Sequence, residues 1–163
     1  MIIVKKSGYL KYKNVKFRCA LGKGGIKIKK EEGDNITPKG TFKLTKIYYR
    51  GDKIKNIATL LKKIKIKKNM GWCDDSRSKF YNMQIKLPNK FGHEKLYRND
   101  NLYDLIVVLN YNTNPIIKYK GSAIFIHVAE NSYKKTRGCI ALKRDDLIKL
   151  ISQIGKNTRI KIN

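Results

Sequence analysis

Residues 122–142 read SAIFIHVAENSYKKTRGCIAL. The run 123–128 is short, apolar and rich in branched and aromatic residues, as expected of a buried β-strand, and His127 stands near its end. A polar loop follows, then Gly138 directly before Cys139, with Ile140 and Leu142 returning to apolar character. A thiol is a weak nucleophile until its proton is removed, so a working cysteine needs an imidazole or a cationic, amide-rich pocket. His127 can supply the first, and the Arg137-Gly138-Cys139 turn the second. The two residues stand 12 positions apart, a span that a strand end and a returning loop can close. A glycine before the nucleophile permits the tight backbone that aims amides at a developing oxyanion. Outside catalysis, the same residues would be a satisfied structural histidine and a buried, inert cysteine.

Outward from this stretch the chain reads as mostly β. Residues 102–109 (LYDLIVVL) form a near-continuous apolar run expected to be a central strand buried on both faces, ended by a loop at 110–115. In 145–155 an apolar stripe at 147, 148, 150, 151 and 154, with acids in the first turn and Gly155 as the stop, predicts the one helix. Alternation resumes at 158–162 and should close the sheet. Toward the amino end, 1–21 reads as short strands with a turn at Gly8, 22–40 as a glycine-rich loop, and 41–50 as a strand entered through a Pro38-Lys39-Gly40 turn. Residues 54–68 fit a helical stripe and a strand equally well. The stretch 71–75 (GWCDD) reads as a compact polar loop around the only tryptophan. The expectation is one domain over residues 1–163, mainly β, a sandwich-like sheet core with a single helix near the carboxyl end and long loops.

The net charge of +26 invites a nucleic acid or an anionic polymer as partner. The basic residues, however, are mostly lysines spread along the whole chain beside abundant Ile, Asn and Tyr, which reads as a composition-wide bias. A non-enzymatic basic protein binding nucleic acid or envelope polymer stays open as an alternative. The glycine-rich loop does not match G-x-x-x-x-G-K-[ST], and Cys73 with Asp74, Asp75 and His93 fits no zinc spacing, so neither a nucleotide cradle, a metal nor another cofactor is expected. No run reaches the length of a transmembrane helix, and the start MIIVKK lacks a signal-peptide apolar region. Three cysteines cannot form a closed disulfide set, leaving at least one free thiol.

His127 followed by Thr136-Arg137-Gly138-Cys139 resembles the signature of the L,D-transpeptidase catalytic domain, the YkuD-like family: a histidine, a variable loop, then Ser/Thr-His-Gly-Cys. Thr37-Pro38-Lys39-Gly40-Thr41-Phe42 resembles that family's T-P-x-G-x-F entry to an early strand. The stretches 20–27, 71–75, 102–105 and 121–127 look like a compact, mostly alphaproteobacterial branch, so the likeness spans nearly the whole chain. Arg137 departs from the usual histidine, Ala141 stands where many members carry a polar residue, and the loop from His127 to Cys139 is short.

The resemblance implies that Cys139 attacks a carbonyl at an L-centre of a peptidoglycan stem peptide while His127 takes the thiol proton. Amides around Gly138 and Cys139 would hold the oxyanion. Transfer to a diaminopimelate side-chain amine would cross-link the cell wall, and water in its place would make the protein an L,D-carboxypeptidase. Arg137, Thr136, Tyr111, Asn112, Trp72 and Asp75 are the substrate-binding candidates. Stem peptides, with no specific nucleic acid, are the expected partners of a monomer acting in the periplasm or cell envelope.

Overall fold

The computed structural model describes all 163 residues. Fourteen strands and one helix follow in order: β1 Ile2–Lys5, β2 Tyr9–Tyr12, β3 Val15–Ala20, β4 Ile26–Lys27, β5 Thr37–Pro38, β6 Gly40–Tyr49, β7 Lys62–Lys65, β8 Met70–Cys73, β9 Gln84–Lys86, β10 His93–Lys95, β11 Leu105–Leu109, β12 Phe125–Val128, β13 Ile140–Leu142, α1 Arg144–Gln153 and β14 Arg159–Ile162.

Nine strands form one sheet in the order β11-β12-β13-β3-β2-β1-β14-β6-β7, and β6 also pairs with β11. Eight of them therefore close into a ring, with β7 attached at the edge. The length of β6 makes closure possible: Gly40 to Lys43 pair with β14, while Leu44 to Tyr49 pair with β11. The expected closing role of the last strand holds, because β14 lies parallel to β1 and antiparallel to β6.

Alternation along the strands divides the apolar residues between two cores. Leu105, Val107 and Leu109 of β11, with Ile126 and Val128 of β12, join the larger core with Leu147, Leu150 and Ile151 of α1. Ile106, Val108 and Phe125 point the other way, into a smaller core with Tyr48, Trp72, Leu96 and Tyr103. All five β11 residues are buried, which is why this strand reads as an unbroken apolar run.

A three-stranded sheet, β10-β8-β9, contributes Trp72 to the smaller core. It corrects the expected loop at 71–75, since Met70–Cys73 is a strand. Asp74 and Asp75 supplied the polar signal, but both follow the strand, and the pairing partners of β8 are three-residue segments too short to show a strand period. The ambiguous 54–68 stretch is no helix. Ile54, Ile57 and Leu61 sink into the larger core from irregular backbone, and β7 then runs parallel to β6. The helix ends at Gln153, with Ile154 already extended and buried.

Asn82 joins the small sheet to the large one. Its Oδ1 accepts the Trp72 indole N–H at 3.0 Å and the Ala123 N–H at 3.0 Å. Its Nδ2 donates to the Tyr111 and Asn112 carbonyls at 3.0 and 2.7 Å. The residue is 4% exposed and sits at φ +56°, a left-handed conformation that asparagine tolerates better than most residues. Replacing Asn82 with Ala leaves several buried groups unpaired at once, and the expected destabilisation is about 3 kcal/mol or more, read from urea unfolding midpoints. A loss below about 1 kcal/mol would show that water takes over these bonds.

Candidate active site

The decisive geometry is the parallel pairing of β12 with β13, in which His127 lies opposite Ala141. Side chains two residues apart share one face of a strand, so Cys139, two before Ala141, emerges on the face that carries Phe125 and His127. Ile126 and Ile140 take the opposite face and anchor both strands in the larger core. His127 and Cys139 line one cavity of about 620 Å³. A larger depression of about 900 Å³ beside Leu87 and Pro88 holds no nucleophile.

His127 is buried, and its Nδ1 lies 2.8 Å from the Val128 carbonyl. A carbonyl only accepts, so Nδ1 carries the hydrogen and Nε2 keeps a lone pair, the tautomer a general base needs. The Tyr103 ring packs edge-on against the imidazole at 5.5 Å. Burial pulls the His127 pKa down to about 4, with the nearby Arg98 charge acting in the same direction. A depressed folded pKa favours the neutral form: this contribution to stability is complete above the ordinary histidine range and is lost as pH falls toward 4.

The half-buried Cys139 Sγ accepts the Phe125 N–H at 3.4 Å and donates to the Ala123 carbonyl at 3.1 Å. Burial pushes the thiol up to about 12, and the Glu94 charge adds to this. Burial thus favours a neutral thiol and a neutral imidazole, an arrangement in which the sulfur can attack only as its proton moves. Ala123, whose carbonyl receives the S–H, sits at φ +52° and is held there by Asn82.

The loop before Cys139 is fixed by backbone packing. Gly138 adopts φ +135°, and a Cβ there would stand 2.9 Å from the Ile36 carbonyl oxygen. A Cβ on Gly22 would meet the Asn35 carbonyl oxygen at 2.3 Å. Thr37, fully buried, accepts the Gly22 N–H at 2.8 Å, and the Gly22 segment pairs with Thr136 through Thr136 N–H to Leu21 O at 2.9 Å and Lys23 N–H to Thr136 O at 3.0 Å. The early motif around Thr37 therefore braces the nucleophile loop. Thr136 Oγ1 donates to the Cys139 carbonyl at 2.6 Å and accepts the Gly138 N–H at 3.1 Å. That bond engages the Gly138 amide, one of the two that sequence reasoning assigned to the oxyanion.

Arg137 is exposed and lines the cavity together with Thr136. The other four candidates lie outside it. Trp72 is a core residue, edge-on to Phe125 at 5.1 Å and to Tyr48 at 6.3 Å, because β8 buries its ring. Asp75 pairs with Arg77 at 3.1 Å. Tyr111 and Asn112 close their own loop, Tyr111 Oη donating to Lys120 O at 2.5 Å and Asn112 Nδ2 to Ile117 O at 2.8 Å and Gly121 O at 2.9 Å.

Sequence reasoning missed Glu94 and Tyr103, which line the cavity and hydrogen-bond to each other, Tyr103 Oη to the Glu94 carboxylate. Burial raises the Glu94 pKa. Nothing in His93-Glu94-Lys95 distinguishes it from surface strand. His93 and Asp74 also line the cavity, while Cys73 is buried.

No curated protein sequence gives a significant match. The family model for the L,D-transpeptidase catalytic domain (YkuD) matches residues 1–162 of the 163. With a family-wide match over the closed sheet, the bracing loop and the His127 and Cys139 strands alike, the chain belongs to the L,D-transpeptidase catalytic-domain family.

Proposed function

We propose that the protein is a cysteine-dependent L,D-transpeptidase acting on peptidoglycan stem peptides in the periplasm or cell envelope, as a monomer and without a cofactor. The observation that carries this reading is the common face of β12 and β13, which presents a histidine with a free Nε2 beside a half-buried thiol.

In the reaction, the S–H turns from the Ala123 carbonyl toward His127 Nε2 and gives up its proton as sulfur attacks the donor carbonyl. The Gly138 N–H being engaged by Thr136, the neighbouring Cys139 N–H is the backbone donor for the oxyanion. Imidazolium then protonates the leaving D-Ala amine, and a thioester remains on Cys139. A diaminopimelate side-chain amine releases it as a cross-link. Lys23, Lys95, Arg98, Lys134, Lys135 and Arg137 around the cavity suit the carboxylates of a stem peptide. Arg137, at the position where a histidine is usual, is the residue best placed to dock one of them bidentately.

Incubating wild type, Cys139→Ala and His127→Ala with muropeptides and following acyl-enzyme and products by mass spectrometry tests the proposal. An adduct on Cys139 is expected in wild type alone, with turnover reduced at least about 100-fold in His127→Ala. No Cys139-dependent adduct or product on any stem peptide would refute it. Thr136→Val should lower kcat about 10- to 100-fold in a folded protein by freeing the Gly138 and Cys139 peptides, with Thr136→Ser restoring it. Equal activity in the Val and Ser variants would remove the bracing role.

A further inference from the structure

The lysines are spread along the whole chain, but the acids are not. All 12 Asp and Glu residues fall within 31–34, 52–104 and 130–146, so residues 1–30, 35–51 and 147–163 carry none. The acid-free segments supply β1, β2, β3, β14 and β6, five consecutive neighbours in the ring. Their inward side chains, among them Ile2, Leu10, Phe17 and Ile160, fill the larger core. Alternation turns the intervening residues outward, and the register lines them up in rows. Arg18 stands beside Tyr9 and Tyr9 beside Lys5. The next row runs from Lys16 through Lys11, Ile3 and Lys161 to Thr41, and Arg159 lies beside Lys43. All seven basic residues of these rows are exposed, and none enters an ion pair.

The outer surface of the ring thus has two unlike halves. On the half formed by β11 and β12 the smaller core and the small sheet cover the strands, and His127 and Cys139 open into their cavity there. Counting round the eight strands, β1 stands opposite β12 and β14 opposite β13. The basic face is therefore the bare back of the molecule, turned away from the nucleophile. Five strands make it about 19 Å wide, broader than the roughly 12 Å major groove of a nucleic-acid duplex. Its one aromatic residue, Tyr9, already lies under Lys16 Nζ at 3.8 Å, so no ring is free to stack on a base. A broad array of long, unpaired lysines instead matches a plane of phosphate headgroups, which offers negative charge without a fixed partner for each side chain.

We propose that the outer face of β3, β2, β1, β14 and the start of β6 docks the protein on an anionic phospholipid surface. Docked in this way, the molecule presents the Cys139 cavity away from the lipid, open to a polymeric substrate. That consequence rests on the transpeptidase reading above; the docking itself does not.

Sedimentation with lipid vesicles tests the proposal. Vesicles of phosphatidylcholine with about 30% phosphatidylglycerol should bind wild type at least about tenfold more tightly than phosphatidylcholine alone, and added salt should release the protein. The triple variant Lys5→Gln, Lys11→Gln, Lys161→Gln should bind on the order of 100-fold more weakly, about fivefold for each charge removed near the surface. A control triple, Lys67→Gln, Lys86→Gln, Lys90→Gln, removes the same charge from exposed positions on and beside the small sheet. It should bind within about threefold of wild type, since charges beyond a Debye length contribute little. Thermal unfolding confirms that both triples are folded. Equal losses in the two triples, or no preference for the anionic vesicles, would overturn the docking face. Tighter binding of a DNA duplex than of the vesicles, through the same three lysines, would assign the face to nucleic acid and overturn the lipid. Absence of a muropeptide acyl-enzyme would overturn the transpeptidase reading while leaving a measured lipid preference intact.

Discussion

One register carries the site: β12 and β13 lie parallel with His127 opposite Ala141. Because side chains alternate across a strand, this register puts Phe125, His127, Cys139 and Ala141 on one face and Ile126, Ile140 and Leu142 on the other. A slip by one residue would send either the imidazole or the thiol into the larger core. The branched residues beneath resist such a slip, since Ile126, Ile140 and Leu142 are fully buried. Hydrophobic burial on one face thus sets the placement of His127 and Cys139 on the other.

The register alone does not aim the sulfur. Cys139 stands just before β13, in a turn whose conformation depends on contacts made elsewhere. Thr37 holds Gly22, the Gly22 segment holds Thr136, and Thr136 closes over Gly138 and Cys139. From the other side, Asn82 fixes Ala123, whose carbonyl receives the S–H. These buried polar bonds are satisfied in pairs, so deleting one partner strands the other in a medium where it has no water. The arrangement also explains close-packed glycines at both 22 and 138, where a methyl group would collide with backbone oxygen.

What the amino-acid sequence revealed follows from which interactions are local. The apolar run of β11, the stripe of α1 and the Gly138-Cys139 turn are written in consecutive residues, although the strand begins at Leu105 and not at Leu102 and the helix ends at Gln153, before Gly155. The likeness to the L,D-transpeptidase family was equally legible, because its two motifs are short and ordered. Strands β9 and β10 were not legible: three residues each, with Ile85 their only apolar residue, they exist because β8 lies between them. For the same reason Glu94 could not be recognised beside Cys139. The bracing role of Thr37 was invisible too, since its partner is a backbone N–H 15 residues away.

Electrostatically the centre is a neutral pair in a strongly cationic molecule. Burial disfavours both charged forms, so thiol and imidazole rest uncharged, and charge arises only during attack. The measurement that tests this most directly is the ¹⁵N chemical shift of both His127 ring nitrogens through a pH titration. Nδ1 is expected to be protonated and Nε2 bare at pH 7, with a midpoint near 4. Two protonated nitrogens at pH 7, with Cys139 as thiolate, would contradict it.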